Sequence, residues 1–392
     1  MNFSNRFSDA ANRYRPASIR SISNRLTPEA ISFAPGMPAF STFPIEHIKS
    51  ITAVMLDKYG PHAMQYSITE GFEPLREWVA SQMPHAQAHN VQIISGSQQA
   101  IGLVGSSFLN VGDKVAISAP TYTGVFSSLA PFGPSYLPIE CDAEGMIPES
   151  VEAALEQSPK FLYCNPNFMN PTGVDMSLAR RQAVADLAVR YDVPILEDDP
   201  YGELRFAGHP KPNLYEFAPS HTIYAGTFSK ILAPGFRVGW LIAPLEAREI
   251  LTLAKQAADL QVSTYTQRLI YEALQGGFIE EQIQQVRAYY YQQRNLMLEA
   301  MDQYFPPEVH YDAPDGGMFV WCTLPEQLDA GEVLDAALAA DVAYVPGTPF
   351  YPNGDGKNTL RLSFSLATPE QIDVGLARLG KVLDAAIRGT ND

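Results

Sequence analysis

The sequence predicts an α/β protein with a mostly parallel sheet, helices on both faces of that sheet, and a smaller α/β domain. Two observations favour this fold class. Short apolar runs typical of buried strands alternate with longer amphipathic segments typical of helices. Beyond Val309 the alternation continues with shorter elements. At 392 residues the chain is long enough to divide into two domains.

The elements of the predicted sheet follow one another at regular intervals. The strands are predicted at Val91–Ser95, Lys114–Ser118, Phe161–Asn165, Val193–Glu197, His221–Gly226 and Arg237–Ile242. The helices between them are predicted at Gln98–Asn110, Pro148–Gln157 and Ser177–Tyr191. A helical region follows from Pro244 to about Tyr304. The smaller lobe then contains two strands and two helices, at Gly317–Leu324, Thr359–Phe364, Ala330–Ala340 and Pro369–Ile387.

Polar residues follow five of these predicted strands. They are Ser97, Tyr122, Asn170, Asp198 and Lys230, and each falls just beyond a predicted strand end. The carboxyl ends of parallel strands meet at one crevice, where ligands of open α/β sheets bind. We therefore expect these five side chains to lie at one site.

Composition limits the partners and the compartment. The net charge is −16, from 43 acidic and 27 basic residues, which argues against nucleic acid and against a basic membrane-binding patch. Cys141, Cys164 and Cys322 form no CxxC pair, so we expect reduced thiols and no metal site. We see no signal peptide and no 18-residue apolar run, and we expect a cytoplasmic protein.

Lys230 lies in the most informative segment, Thr227-Phe228-Ser229-Lys230, directly after a short apolar strand. A lysine amine attacks a carbonyl only when it is neutral, and a partly buried loop favours that state. Hydroxyl side chains flank this lysine and Arg237 follows seven residues later. The layout suits a lysine that forms a Schiff base with a phosphorylated aldehyde. The alternative is a surface lysine in a Ser/Gly-rich turn.

The other motifs, taken in order, carry a family resemblance. They are Ser95-Gly96-Ser97-Gln98, Ala119-Pro120-Thr121-Tyr122, Asn170-Pro171-Thr172-Gly173, Asp198-Asp199-Pro200-Tyr201 and Leu360-Arg361-Leu362. Together with the lysine segment they resemble the class I/II aminotransferases. These are fold-type I enzymes that depend on pyridoxal 5'-phosphate (PLP). The resemblance runs from about Ser18 to the C-terminal helix and is nearest to the 2-aminoadipate and kynurenine aminotransferase subgroup.

The resemblance implies a role for each residue around the cofactor ring. Lys230 would carry PLP and move the proton of the substrate α-carbon. Asp198 would pair with the ring nitrogen, rather than Asp199, because Tyr201 follows Asp198 three residues later. Tyr201 and Asn170 would hydrogen-bond the ring hydroxyl. The alternative roles are a carboxylate that caps a strand end for Asp198, a packed aromatic for Tyr201 and a turn asparagine for Asn170.

The resemblance also assigns the ring face and the phosphate. Tyr122 would stack on the ring, although a core aromatic is the alternative. The phosphate ligands would be Ser97, Gln98, Thr227, Ser229 and Arg237. A serine at a helix start suits an anion site, but a plain N-cap fits equally well. Many relatives have serine at the position of Thr227, and the hydroxyl is retained.

Substrate residues are implied in the same way. Arg361 would bind the α-carboxylate in a two-pronged geometry, with Asn170 and the backbone of Gly36 beside it. The alternative is an outward-facing arginine on an alternating strand. Arg20 would lie near the distal carboxylate of acidic substrates, or else be a solvated arm residue. Tyr66 matches a tyrosine that reaches the phosphate of the neighbouring subunit, which implies a homodimer with shared active sites.

The resemblance therefore predicts ping-pong transfer of an amino group from an L-amino acid to a 2-oxo acid such as 2-oxoglutarate. It divides the chain into an N-terminal arm that joins the small domain (1–45), a large PLP-binding domain (46–285) and a small domain (286–392). Acidic, aromatic and branched-chain donors stay unranked. Another PLP enzyme on this fold, such as a C–S lyase, and a non-catalytic ligand-binding module are the alternatives. A nicotinamide enzyme is disfavoured because no GxGxxG follows the first strands.

Overall fold

The computed structural model describes residues 3–16, 22 and 24–389. The strands are β1 Ile31–Ser32, β2 Val91–Ile94, β3 Lys114–Ala119, β4 Ser135–Asp142, β5 Gly145–Met146, β6 Phe161–Cys164, β7 Ile195–Asp199, β8 Thr222–Thr227, β9 Gly239–Ile242, β10 His310–Tyr311, β11 Phe319–Thr323, β12 Val342–Ala343, β13 Val345–Pro346 and β14 Thr359–Ser363.

The helices account for most of the remaining chain. The α-helices are α1 Ile45–Tyr59, α2 Glu73–Ser81, α3 Ser97–Phe108, α4 Thr123–Leu129, α5 Pro148–Leu155, α6 Leu178–Arg190, α7 Leu214–Phe217, α8 Leu245–Asp259, α9 Thr264–Ala273, α10 Phe278–Tyr304, α11 Ala330–Ala339 and α12 Pro369–Gly389. Short 3-10 helices occur at Ser4–Arg6, Ala11–Arg13, Phe40–Thr42, Gly60–Ala63, Ala88–Asn90, Ala130–Phe132, Gly202–Leu204, Pro234–Phe236, Gln275–Gly277 and Thr348–Phe350.

The large sheet confirms the predicted fold class. Its eight strands lie in the order β2-β9-β8-β7-β6-β3-β4-β5. Strands β4, β3, β6, β7 and β8 are parallel, and β9 is antiparallel to both of its neighbours. The carboxyl ends of the central parallel strands therefore share one edge, as expected.

Helices cover both faces of this sheet because residues on its central strands β3, β6 and β7 alternate between two apolar clusters. One cluster packs α3, α4 and α8 against residues such as Tyr163 and Leu196. The other packs α5, α6 and α7 against residues such as Leu162 and Ile195. The face that a strand residue occupies is thus fixed by its position in this alternation.

Two details of the large sheet differ from the sequence prediction. Strand β7 starts and ends two residues later than predicted, so Asp198 lies within the strand, next to its last residue, and not beyond it. Strand β4 was not predicted, because it begins within the proline-rich stretch from Pro131 to Pro138. Pro138 pairs with Ile117 of β3 on one side, while β5 reaches only Cys141 and Asp142 on the other. An outer edge of this kind tolerates the missing N–H of proline.

The smaller sheet has the order β10-β11-β14-β13. Strand β1 is not part of the large sheet. It pairs in parallel with β12, with Ile31 opposite Val342. The segment around residues 31–36 therefore packs with the C-terminal part of the chain. The three domain boundaries stay a prediction. Within the described residues, no helix combines the length and apolar character needed to cross a membrane.

Candidate active site

Lys230 follows β8 by three residues, at the sheet edge where the parallel strands end. Its Nζ donates a hydrogen bond to the carbonyl oxygen of Gly36 at 2.9 Å and lies 5.7 Å from the ring centre of Tyr201. Burial lowers the pKa of Lys230 to about 8, and the charges of Arg361 and Arg237 contribute to this decrease. Nζ is therefore neutral in a much larger fraction of molecules near neutral pH than an ordinary lysine.

Asp198 lies on the neighbouring strand β7 and is 2% exposed. Its Oδ2 accepts a hydrogen bond from the hydroxyl of Tyr163 at 2.9 Å, whereas its Oδ1 is buried and has no partner among the described residues. Burial raises the pKa of Asp198 to about 6, and the nearby hydroxyls of Tyr163 and Ser97 oppose this rise. The carboxylate thus has one free oxygen for a positively charged donor.

Asp199 has a different environment. Its Oδ1 accepts a hydrogen bond from the backbone of Gly202 at 2.8 Å, and its Oδ2 accepts one from the hydroxyl of Tyr224 at 3.0 Å. It lines a cavity of about 790 Å³ whose lining includes neither Lys230 nor Asp198. Both oxygens of Asp199 are engaged in local structure, which favours Asp198 as the functional carboxylate.

Asn165 connects two parts of the site, a role that sequence reasoning missed. Its Nδ2 donates to the backbone oxygen of Asp198 at 2.6 Å, and its Oδ1 accepts from the backbone N–H of Asn170 at 2.9 Å. The Asn-Pro pair at the end of β6 was visible in the sequence, but its contacts depend on the neighbouring strand. Asn165 therefore fixes the loop that carries Asn170 relative to β7.

Arg361 is 1% exposed on β14, between β11 and β13. Its Nη1 donates to Oδ1 of Asn170 at 2.7 Å and its Nη2 donates to the carbonyl of Ala34 at 2.6 Å. The guanidinium carbon lies 4.2 Å from the ring centre of Phe319 and 5.1 Å from that of Phe350. The outward-facing alternative is therefore wrong, because every residue of β14 is buried.

The charge of Arg361 is uncompensated within the described residues. No described carboxylate forms an ion pair with it, and its Nε is buried without a partner. Burial lowers the pKa of Arg361 to about 10, which still leaves it charged at neutral pH. A buried cation without an anion is costly unless a ligand supplies the charge.

Two tyrosines lie beside this charged group. The ring of Tyr201 packs edge-on against Phe319 at 5.8 Å, and burial raises the pKa of Tyr201. Tyr122 donates from its hydroxyl to Oε1 of Gln98 at 2.9 Å. A Cβ at Gly124 would come within 2.3 Å of the Tyr122 ring, so glycine allows this ring to lie over the start of α4.

The predicted phosphate ligands meet where β8 ends and α3 begins. Gly96 has φ +80°, and a Cβ there would lie 2.7 Å from Nη2 of Arg237. That nitrogen donates to the carbonyl of Ser95 at 2.7 Å. The hydroxyls of Thr227 and Ser229 are 2.9 Å apart. Ser97 and Gln98 are the first two residues of α3, whose N-terminal N–H groups form a natural anion site.

One described residue of the predicted set, Tyr66, is not brought to this site. Tyr66 is 77% exposed, and its backbone N–H bonds to the side chain of Gln65. Arg20 lies outside the described residues. Among the remaining predicted residues, Gly36 contributes its carbonyl to Lys230, and Arg361 of the smaller sheet contacts Asn170.

Comparisons with known proteins agree on one family. Residues 40–379 match the family model described as aminotransferase class I and II. The chain is 40% identical to 2-aminoadipate transaminase of Thermus thermophilus, over 98% of each chain. It is 39% identical to aromatic-amino-acid aminotransferase 1 of Thermococcus litoralis, over 96% of this chain and 94% of the relative.

A solved structure shows the same similarity in three dimensions. The alpha-aminoadipate aminotransferase of Thermus thermophilus, complexed with N-(5'-phosphopyridoxyl)-L-leucine, matches with a TM-score of 0.93 and 39% identity. The match covers 99% of this chain and 100% of that chain. It therefore includes both sheets and the sheet edge that carries Lys230.

Proposed function

Because this chain belongs to the aminotransferase class I and II family and is a PLP-dependent aminotransferase, we propose that it transfers amino groups from acidic, aromatic and branched-chain L-amino acids to 2-oxoglutarate. Its relatives are named for 2-aminoadipate and for aromatic amino acids, and the structural relative binds a leucine adduct. These names support a broad donor range. The reaction is proposed to run in two half-reactions through one site.

The buried, unpaired guanidinium of Arg361 carries this proposal. All proposed donors and acceptors share a carboxylate next to the reacting carbon. Arg361 presents nitrogens beside Asn170 in a dry pocket, where a two-pronged carboxylate bond is strong. Arg361 would bind the carboxylate that all of these substrates share, so this contact does not discriminate between substrates with different side chains.

The residues at the sheet edge fit a phosphorylated pyridine aldehyde. The unpartnered Oδ1 of Asp198 suits a protonated ring nitrogen, and the start of α3 with Arg237 suits a phosphate. Lys230 is the amine that would bond to the aldehyde carbon. When bound, PLP draws electrons away from the substrate α-carbon.

Each remaining side chain has a defined task in this proposal. Asp198 would hold positive charge at the ring nitrogen, and Tyr201 and Asn170 would hold the ring hydroxyl. Tyr122 would cover the ring face. Lys230 would take the proton from the substrate α-carbon, because its lowered pKa leaves Nζ able to accept one.

The assembly proposed is a homodimer with shared active sites. Tyr66 is exposed, and so are two apolar side chains near it in the chain, Met64 (67% exposed) and Ile68 (54% exposed). Apolar surface of this kind supports an interface. We place Tyr66 at the phosphate of the partner subunit's site. The unpaired thiols of Cys141 and Cys164 support a reducing, cytoplasmic compartment.

A donor panel tests the proposed function. Purified protein is incubated with PLP, 2-oxoglutarate and one of glutamate, 2-aminoadipate, phenylalanine, kynurenine or leucine. Product 2-oxo acids are measured by mass spectrometry, with unlabelled donor and isotope-labelled 2-oxoglutarate so that glutamate turnover is visible. We expect turnover with all three donor classes. Activity confined to one class would contradict the proposed range, and release of ammonia without labelled glutamate would contradict the proposed acceptor.

A further inference from the structure

Tyr163 is a buried tyrosine of the central sheet to which the proposed reaction assigns no task. It is the third residue of β6, is fully buried, and lies opposite Leu196 of β7. Asp198 is two residues further along β7, so both side chains face the same side of the sheet. The hydroxyl of Tyr163 consequently reaches Oδ2 of Asp198 at 2.9 Å.

This contact makes the two oxygens of the Asp198 carboxylate different. Oδ2 is held by Tyr163, while Oδ1 is buried and has no partner among the described residues. The backbone of Asp198 is held as well, because Nδ2 of Asn165 donates to its carbonyl at 2.6 Å. A carboxylate fixed at its backbone and at one oxygen cannot rotate freely, so the direction of its free oxygen is set in advance.

We propose that Tyr163 is a positioning residue that holds the Asp198 carboxylate with Oδ1 free for the ring nitrogen of the cofactor. This inference rests on the proposed pairing of Asp198 with that nitrogen. Tyr163 does not touch substrate or cofactor in this scheme. It acts through Asp198, and its hydroxyl both orients the carboxylate and stabilises the charge of that carboxylate.

The surroundings of Asp198 explain why such support matters. Burial raises the pKa of Asp198, and the negative charge of Asp199 raises it further. The hydroxyls of Tyr163 and Ser97 and the charge of Lys230 oppose that rise. Other titratable groups whose pKa values respond to Asp198 are Tyr122, Cys164 and Tyr201. Burial raises the pKa of Tyr163 itself, so it stays protonated and remains a donor.

The test compares two cofactors in the apo-protein. Affinity is measured by fluorescence titration for PLP and for its 1-deaza analogue, in which a carbon replaces the ring nitrogen. Tyr163→Phe removes the hydroxyl and keeps the ring. A hydrogen bond to a charged group corresponds to about tenfold or more in affinity. We expect Tyr163→Phe to weaken PLP binding by at least about tenfold and to change binding of the analogue less than about twofold.

A matched control exists on the opposite face of the sheet. Tyr224 is also buried and donates to Oδ2 of Asp199 at 3.0 Å. Tyr224→Phe should leave the ratio of the two affinities unchanged. Both ligands are titrated on one preparation, so partial unfolding does not alter the ratio. Tyr163→Leu, which also lacks the hydroxyl, should give the same shifted ratio as Tyr163→Phe.

Three outcomes separate failure of the proposed pairing from failure of the inference about Tyr163. If Asp198→Asn does not shift the ratio, the proposed pairing of Asp198 with the ring nitrogen fails. If Asp198→Asn shifts the ratio but Tyr163→Phe weakens both ligands equally, the inference about Tyr163 is overturned. Within Asp198→Asn protein, adding Tyr163→Phe should shift the ratio no further, and an additional shift would also count against the inference.

Discussion

Replacing Arg361 by methionine separates a functional arginine from a structural one. In the proposed reaction Arg361 binds the substrate α-carboxylate with two charge-assisted hydrogen bonds. Each such bond contributes about 1.5–3 kcal/mol, and for the two together we expect a loss of about 3–6 kcal/mol. That loss corresponds to a decrease in kcat/KM of roughly 10²–10⁴. Glutamate and phenylalanine should suffer equally, because both carry the same α-carboxylate.

The stability of the apo-protein should respond very differently. Methionine removes a buried charge that has no acidic partner, which relieves a desolvation penalty of several kcal/mol. It also leaves the oxygens of Asn170 and Ala34 without a donor, at a cost of about 1–3 kcal/mol each. These effects oppose each other. We therefore expect the free energy of unfolding to change by less than about 2 kcal/mol.

Arg181 is the matched control, because it is equally buried but has an acidic partner. Its Nη2 lies 2.9 Å from Oδ1 of Asp175 and 2.7 Å from Oδ1 of Asn167. Arg181→Met leaves Asp175 paired with Arg205 and Lys211. It removes the donor to Oδ1 of Asn167 and to three backbone carbonyls, so it should reduce the free energy of unfolding by about 3–5 kcal/mol. Its folded fraction should keep wild-type kcat/KM.

The assays are urea unfolding of the apo-protein and initial rates with both donors. An Arg361→Met protein that unfolds as easily as Arg181→Met, yet retains kcat/KM, would refute the reasoning. Such a result would make Arg361 a structural residue. A loss confined to glutamate would also refute it, because the contact would then involve the distal carboxylate.

Three further predictions concern the other charged groups and the assembly. Asp198→Asn should lower kcat by about a hundredfold or more, equivalent to about 2.7 kcal/mol. Asp199→Asn should lower the steady-state kcat far less. The reverse order would contradict the assignment of Asp198 to the ring nitrogen. The pKa of Lys230 is lowered from 10.5 to about 8, so the rate at which apo-protein binds PLP covalently should rise with pH around 8. The covalent product is measured after borohydride reduction. A midpoint near pH 10.5 would argue against a perturbed lysine. Mixing Lys230→Ala with Tyr66→Ala protein should restore activity through hybrid dimers, and an active monomer in sedimentation would exclude the shared site.

The sign of the linkage to stability follows from the same values. The folded pKa of Asp198 is raised from 3.8 to about 6, so the folded protein binds more protons than the unfolded chain between those pH values. This contribution to stability is present below about pH 4 and is lost as the pH rises through about 6. The folded pKa of Lys230 is lowered, so its destabilising contribution is present below about pH 8 and declines as the pH rises towards 10.5.

The sequence was informative wherever function depends on the end of a strand. Lys230, Asp198 and Asn170 could be placed together because the carboxyl ends of parallel strands share one edge. The shift of β7 by two residues did not disturb this reasoning, since Asp198 still lies at that edge. Periodicity and motif order therefore sufficed for the fold class, and the roles of these residues stay a prediction.

Other parts of the site depend on packing that no local pattern contains. Tyr163 lies in an apolar run and resembles any core residue until the register with β7 is known. The carbonyl of Ala34 contacts Arg361 across 327 residues of chain. The alternation rule also failed at Arg361, because both faces of β14 are covered. Tyr66 requires a second subunit, so a single chain leaves its role a prediction.

The contacts of residues 34 and 36 have a consequence for how the protein is made. Their carbonyls reach Arg361 and Lys230, and β1 pairs with β12. A ribosome that adds about 5–20 residues per second needs roughly 15–65 s to travel from Ala34 to Arg361. During that interval the early segment has left the ribosome, but the strand that it pairs with does not yet exist. The large sheet can form while the chain is still growing, whereas the substrate pocket is completed only after Arg361 has been synthesised.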